Sequence, residues 1–185
     1  MKRIMIVGTI LLGMAALAGV GAISVSAQSH EFTASTTGKT KSKGTTKQVI
    51  GLSGGAIECS EVTGSGTATE TTSTTHKEVL TYSGCTGFGN TVTITAADFD
   101  FNADGSATLE KRITITPVGA DCKLVVEPQT IEGLSYEATG GKLKSTVDDA
   151  KVAVKGGGGE CGGSQEAEYS GTIEAELEGG TLSWK

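Results

Sequence analysis

Alternation with a period of two is the feature that most narrows what this chain can become. Thr91-Val92-Thr93-Ile94-Thr95 puts Val92 and Ile94 on one side and three threonines on the other. Arg112-Ile113-Thr114-Ile115-Thr116 repeats the pattern with Ile113 and Ile115. Successive side chains of a strand point to opposite faces, so such segments are half-buried strands with one wet face. The same reading gives strands over residues 48–52, 55–62, 67–72, 77–83, 124–126, 134–139, 142–146, 150–155, 166–178 and 181–184, with 31–35 as a further edge strand. Turn signals stand between them, among them Ser53-Gly54-Gly55, Ala103-Asp104-Gly105, Gly140-Gly141 and Gly179-Gly180. Residues 146–154 read as a hairpin turning at Asp148-Asp149. A parallel sheet would need helical crossovers, so roughly ten closely spaced short strands predict an all-β, antiparallel β-sandwich.

The first 27 residues stand apart. Lys2 and Arg3 precede an apolar run from Ile4 to about Ile23, and Val25-Ser26-Ala27 supplies small or aliphatic residues where a signal peptidase needs them. Residues 1–27 are therefore expected to be a signal peptide, with Gln28 as the mature N-terminus. The rival is an uncleaved anchor, since the run is long enough to span a bilayer. The glycines at 8, 13, 19 and 21 and the cleavage pattern favour removal. Residues 28–47 contain a Thr/Ser/Gly/Lys run without an apolar face and are expected to form a flexible or edge-strand segment. Residues 48–185 are expected to be a single β-sandwich domain.

Removing Lys2 and Arg3 takes the net charge from −6 to −8. An acidic chain without a basic cluster repels phosphate backbones and anionic lipid surfaces, so neither nucleic acid nor, after cleavage, membrane is an expected partner. The expected location is secreted, extracellular or at the cell surface.

Four cysteines, Cys59, Cys85, Cys122 and Cys161, all follow the signal segment. An even count in an exported chain reads as two disulfides. Zinc-type spacing is absent: no CxxC pair occurs, and His76 lies nine residues before Cys85. Of the three possible pairings, Cys59–Cys85 and Cys122–Cys161 are expected. A three-strand meander brings the first pair together, and the second anchors the Gly-rich segment that leads into Cys161.

A resemblance runs through the same landmarks. Gly55-Ala56-Ile57-Glu58-Cys59, Thr81-Tyr82-Ser83-Gly84-Cys85-Thr86-Gly87-Phe88-Gly89, the stretch from Cys122 to Gln129, Tyr136, Cys161 and Tyr169-Ser170-Gly171 follow one another in an order that resembles an uncharacterised family of small secreted, β-rich proteins of actinobacterial type. The block around Cys85 is its most specific part. Members often carry a further cysteine pair near the positions of Phe99 and Pro117, which this chain lacks. The resemblance implies export and fold and carries no activity.

Few residues offer chemistry. Asp100, Asn102, Asp104 and Gly105 match the first half of a calcium-loop pattern, in which hard oxygens at alternate positions precede a sharp glycine turn. The twelfth position holds Lys111 where a bidentate Glu belongs. The competing reading is a plain hairpin with Phe99, Phe101 and Leu109 facing inward, and no metal or other cofactor is expected. His76 is read as an exposed strand residue, and no nucleophile elbow occurs. Glu166, Glu168, Glu174, Glu176 and Glu178 alternate along one strand and read as the solvated face of a sheet edge. Tyr82, Tyr136 and Tyr169 sit in strand patterns that favour burial over display, which leaves no evident aromatic platform for sugar. The expectation is a non-enzymatic interaction or structural module, its partner a cell-surface protein or glycan. A carbohydrate- or weak-calcium-binding module is the alternative, and a hydrolase ranks third.

Overall fold

The computed structural model describes residues 30–157, 161 and 163–185, so the expected signal peptide lies outside the described residues. Sixteen strands follow in chain order: β1 (Phe32–Ala34), β2 (Gly38–Gly44), β3 (Gln48–Leu52), β4 (Gly55–Ala68), β5 (Thr72–Ser73), β6 (Thr75–Gly87), β7 (Asn90–Ile94), β8 (Ala97–Asn102), β9 (Ser106–Leu109), β10 (Ile113–Pro117), β11 (Lys123–Val126), β12 (Gln129–Glu132), β13 (Leu134–Thr139), β14 (Lys142–Gly157), β15 (Gln165–Leu177) and β16 (Leu182–Trp184). Every pairing is antiparallel, and no α-helix occurs among the described residues. The all-β, sandwich-like class read from the alternation holds, with more strands than the expected ten.

The layers are joined along both sides. Hydrogen-bonded pairing runs β6–β7–β10–β11–β14–β15–β3–β4 and returns to β6. Strands β8, β9 and β12 continue β7, β10 and β11 beyond bends, and β2 continues β3. The result is a flattened ring of eight composite strands in chain order, which leaves few free edges for unwanted pairing. Inside lies an apolar core including Ile57, Val62, Leu109, Ile115, Leu124 and Val154. A small sheet, β16–β1–β5, lies beside this ring, and Phe32 from β1 packs edge-on against Tyr136 with ring centroids 5.0 Å apart.

Both expected disulfides form, Cys59–Cys85 and Cys122–Cys161. The first needs no meander, because β4 and β6 are direct neighbours and the two cysteines face each other in register.

Four local readings change. Residues 36–47 do not lie at an edge: β2 sits between β15 and β4, with Thr40 and Ser42 buried. Residues 67–72 are not a separate strand, because β4 runs on to Ala68. Asp148-Asp149 is not a hairpin turn. β14 passes straight through it, with a register shift between Val147 and Ala150 and Asp149 at φ 50°, which marks a bulge. The glutamates of β15 do not lie on a sheet edge either, since β15 is flanked by β14 and β2. Lys142 lies 2.9 Å from Glu174, Lys151 lies 2.6 Å from Glu168, and Lys41 lies 2.6 Å from Glu178, so the glutamate row is held between two lysine rows. These exposed pairs add little stability individually, but opposite charges across strands favour this register over a slipped one.

Candidate functional site

Two places combine polar chemistry with shape: a buried cluster inside the ring and an open groove on its outer surface.

The cluster grows from an unusual stretch of inward positions. β4 presents Val62 and then Gly64 and Gly66, while β2 presents Thr40 and Ser42 beside them. β6 presents Leu80, Glu78 and His76 on the other side. A Cβ on Gly64 would stand 1.9 Å from Ser42 Oγ, and one on Gly66 would stand 2.3 Å from Lys77 O and 2.8 Å from Thr40 Oγ1. The two glycines thus make the room that Ser42, Thr40 and Glu78 fill. Ser42 Oγ donates to Glu78 Oε2 at 2.7 Å. His76 Nε2 lies 3.1 Å from Thr40 Oγ1 and 3.3 Å from Glu78 Oε1. His76 is therefore not the exposed strand residue read from the sequence: its side chain is 14% accessible and that of Glu78 1%.

The residue types suggest a hydroxyl–His–acid relay, but the geometry does not build one. A relay takes the hydroxyl on one imidazole nitrogen and the acid on the other. Here both Thr40 and Glu78 face Nε2, and Ser42 bonds the carboxylate instead of the ring. The arrangement is a satisfied polar core, with no buried side-chain polar atom left unpartnered among the described residues.

A second buried polar group sits where β2 passes into β3. The Gln48 amide is 3% accessible, donates to Thr172 O at 3.2 Å and accepts from Tyr169 Oη at 2.7 Å. A Cβ on Gly171 would stand 2.0 Å from its Oε1, so glycine again makes room for a polar side chain. Burial pushes the Tyr169 hydroxyl well above its usual range, and the adjacent Tyr82 hydroxyl adds to the shift.

Asp100, Asn102 and Asp104, the weak calcium-loop candidates, stay apart in a tight hairpin. Asp100 pairs with Lys77 on the outer face. Asn102 Nδ2 donates to Ser106 Oγ at 3.0 Å, and Asp104 Oδ1 accepts from Ser106 N at 3.0 Å and from Ser106 Oγ at 2.8 Å. Phe99, Phe101 and Leu109 face inward, as the hairpin reading expects. No group of three or more His, Cys, Asp or Glu side chains placed to hold a metal ion occurs among the described residues. Trp184 Nε1 donates to Ala103 O at 3.0 Å, and its ring stacks on His30 at 4.6 Å.

The groove is the roomier feature, about 760 Å³, and runs over the outer face of β4, β6 and β8. That volume falls in the range of about 300–1,000 Å³ of small-ligand clefts. Ser65, Thr67 and Val79 form its floor, and Val79 is 41% accessible, an apolar spot left in the open. The Lys77–Asp100 and Lys111–Asp98 ion pairs stand along one wall, with Lys39 and Glu110 at its margins. Of the calcium-loop candidates Asp100 belongs to this groove, together with Lys111 from the loop's twelfth position. Nothing in the sequence pattern marked Val79, which alternates normally with Leu80.

Comparison with family models, with curated proteins and with solved structures finds no match for this chain. The two disulfides suggest an oxidising compartment. No helix among the described residues is long and apolar enough to cross a membrane.

Proposed function

We propose that this chain is an exported, non-enzymatic interaction module whose contact surface is the groove over β4, β6 and β8. The observation that carries the reading is the groove itself: an open concavity of about 760 Å³ with an accessible valine in its floor and charges of both signs along its margins. Interaction sites gather an apolar centre inside a polar rim. Cations at Lys39, Lys77 and Lys111 and anions at Asp98, Asp100 and Glu110 fit an extended polypeptide segment of mixed charge on a cell-surface protein. The groove has no outward-facing aromatic ring to serve as a sugar platform, which favours protein over glycan. The N-terminal segment and the disulfides support the export reading.

The test is retention. The secreted protein, added back to cells of the organism that produces it, should bind saturably, and the Lys77→Glu/Lys111→Glu variant should bind about tenfold or more weakly. Equal retention of both forms would remove the groove from the account.

A further inference from the structure

The interior of the ring has its own unfilled space, and its wall is apolar. A void of about 40 Å³ lies within reach of Ile50, Tyr82, Ile94, Ile115 and Tyr169. Ile50, Ile94, Tyr82 and Tyr169 point inward, opposite or beside fully buried partners such as Ile57 and Ile115, yet all four retain accessible surface. That surface faces the void. Its only polar neighbours are already committed, since Tyr169 Oη donates to Gln48 Oε1 and the Tyr82 hydroxyl lies beside Tyr169. Water in such a space has no two to four polar partners, so it gains nothing there, whereas a hydrocarbon group does.

The void is one of a row. A second of about 30 Å³ shares Gln48, Phe99, Ile131 and Tyr169 with the first, and a third of about 20 Å³ shares Phe101, Ser145 and Ile173 with the second. They follow one another along the ring toward Phe32 and Tyr136. At the opposite end the turns carry a partly buried apolar rim. Leu52 ends β3, Phe88 sits in the β6–β7 turn and Ala120 lies between β10 and β11. Eight-stranded closed sheets are wide enough to hold one small ligand when side chains do not fill them.

We propose that this interior is a binding site for the unbranched hydrocarbon chain of a small amphiphile, entered between the turns that carry Leu52, Phe88 and Ala120. The chain lies along the row of voids, with rotamer shifts at Ile131 and Phe99 joining the first to the second. This site is separate from the outer groove and does not depend on it.

The probe is 1-octanol, titrated into the secreted protein with its isoleucine, leucine and valine methyls observed by NMR. Saturable shifts are expected at Ile50, Ile94, Ile115 and Ile131, while the outer Val79 and Val118 methyls stay still. Ile94→Phe and Ile50→Phe fill the void from residues that are not fully packed, and each should weaken octanol binding about tenfold or more. Two such variants are used so that one remains informative if the other does not fold. No shift of the inward methyls at saturating octanol, shifts confined to Val79 and Val118, or unchanged binding by a folded filling variant would overturn the proposal.

Discussion

Cys59 and Cys85 face each other across β4 and β6 with their Cα atoms 3.9 Å apart. Beside them the ladder is interrupted without a change of register: Glu61 pairs with Ser83 two residues away, while Ser60 and Gly84, the latter at φ 59°, form no pair. A Cβ on Gly84 would lie 2.1 Å from Ser60 Oγ, so glycine is required on both counts. The disulfide pins the register on one side of this irregularity and the ladder from Glu61 to Gly66 pins it on the other.

The first prediction follows from the loops the disulfides close, which span 26 and 39 residues. In the chain-entropy model these cross-links destabilise the unfolded chain by about 3.5 and about 4 kcal/mol. The Cys59→Ala/Cys85→Ala variant should lose no more than the smaller figure, since β4 and β6 stay paired along Glu61–Gly66 without it. Denaturant unfolding of the two double variants measures this. A larger loss from the 59–85 pair than from the 122–161 pair contradicts it.

The polar core makes the second. Gly66→Ala places a methyl 2.3 Å from the Lys77 carbonyl oxygen, a backbone atom that no rotamer change moves. It should cost roughly 2–4 kcal/mol. Glu78→Gln should cost less, because the amide fits the same space, keeps one oxygen to accept from Ser42 and turns its NH2 toward the His76 ring nitrogen. A Gly66→Ala protein that unfolds at the parent's midpoint would show that the cradle is looser than described.

This cradle also explains where the sequence misleads. Alternation located β7 and β10 because Val92, Ile94, Ile113 and Ile115 are apolar and inward. It stopped at Val62 and passed over β2 because the inward positions there are Gly64, Gly66, Thr40 and Ser42. An apolar-inside rule cannot see a strand whose inner face is polar and partnered by Glu78, and the same partnership buries His76. The 148–149 bulge was missed for a related reason. Two adjacent aspartates look like a turn, whereas here one inserted residue lets β14 continue against β15. The disulfide partners were legible from cysteine number and spacing, although the first pair closes between directly adjacent strands and not through a meander. The outer groove was not, since its shape arises from how β4, β6 and β8 lie side by side and leaves no mark on residue pattern.

A third prediction concerns the seam between β12 and β14. Gln129 Nε2 donates to Ala153 O at 2.9 Å and Gln129 Oε1 accepts from Ala153 N at 2.8 Å, so a side-chain amide stands in for a missing strand pairing. Gln129→Ala should cost about 1–2 kcal/mol and speed hydrogen exchange at the Ala153 amide by roughly tenfold. Unchanged exchange at Ala153 would mean the bridge does not close the seam.

The fourth is alkaline unfolding. Burial raises Tyr82, Tyr136 and Tyr169 above the usual value of 10.0, and these are the chain's only three tyrosines. The folded state therefore holds the phenol protons more tightly than the unfolded chain does. The resulting stability is complete below pH 10 and is lost as pH rises above it, because the unfolded chain gains by ionising. Tyrosinate absorbance should appear only together with the loss of β-sheet circular dichroism. Tyrosinate that forms while the sheet signal stays intact would contradict the burial of these hydroxyls.

The most direct test of the interaction account places a photo-activated cross-linker at Val79, in the floor of the groove, and a control at Lys151 on the charged face of β14. Both secreted proteins are bound to producing cells and irradiated. The account predicts one discrete cross-linked exported or surface protein from position 79, absent from position 151 and displaced by excess unlabelled protein. No adduct from position 79, or the same adducts from both positions, would contradict it.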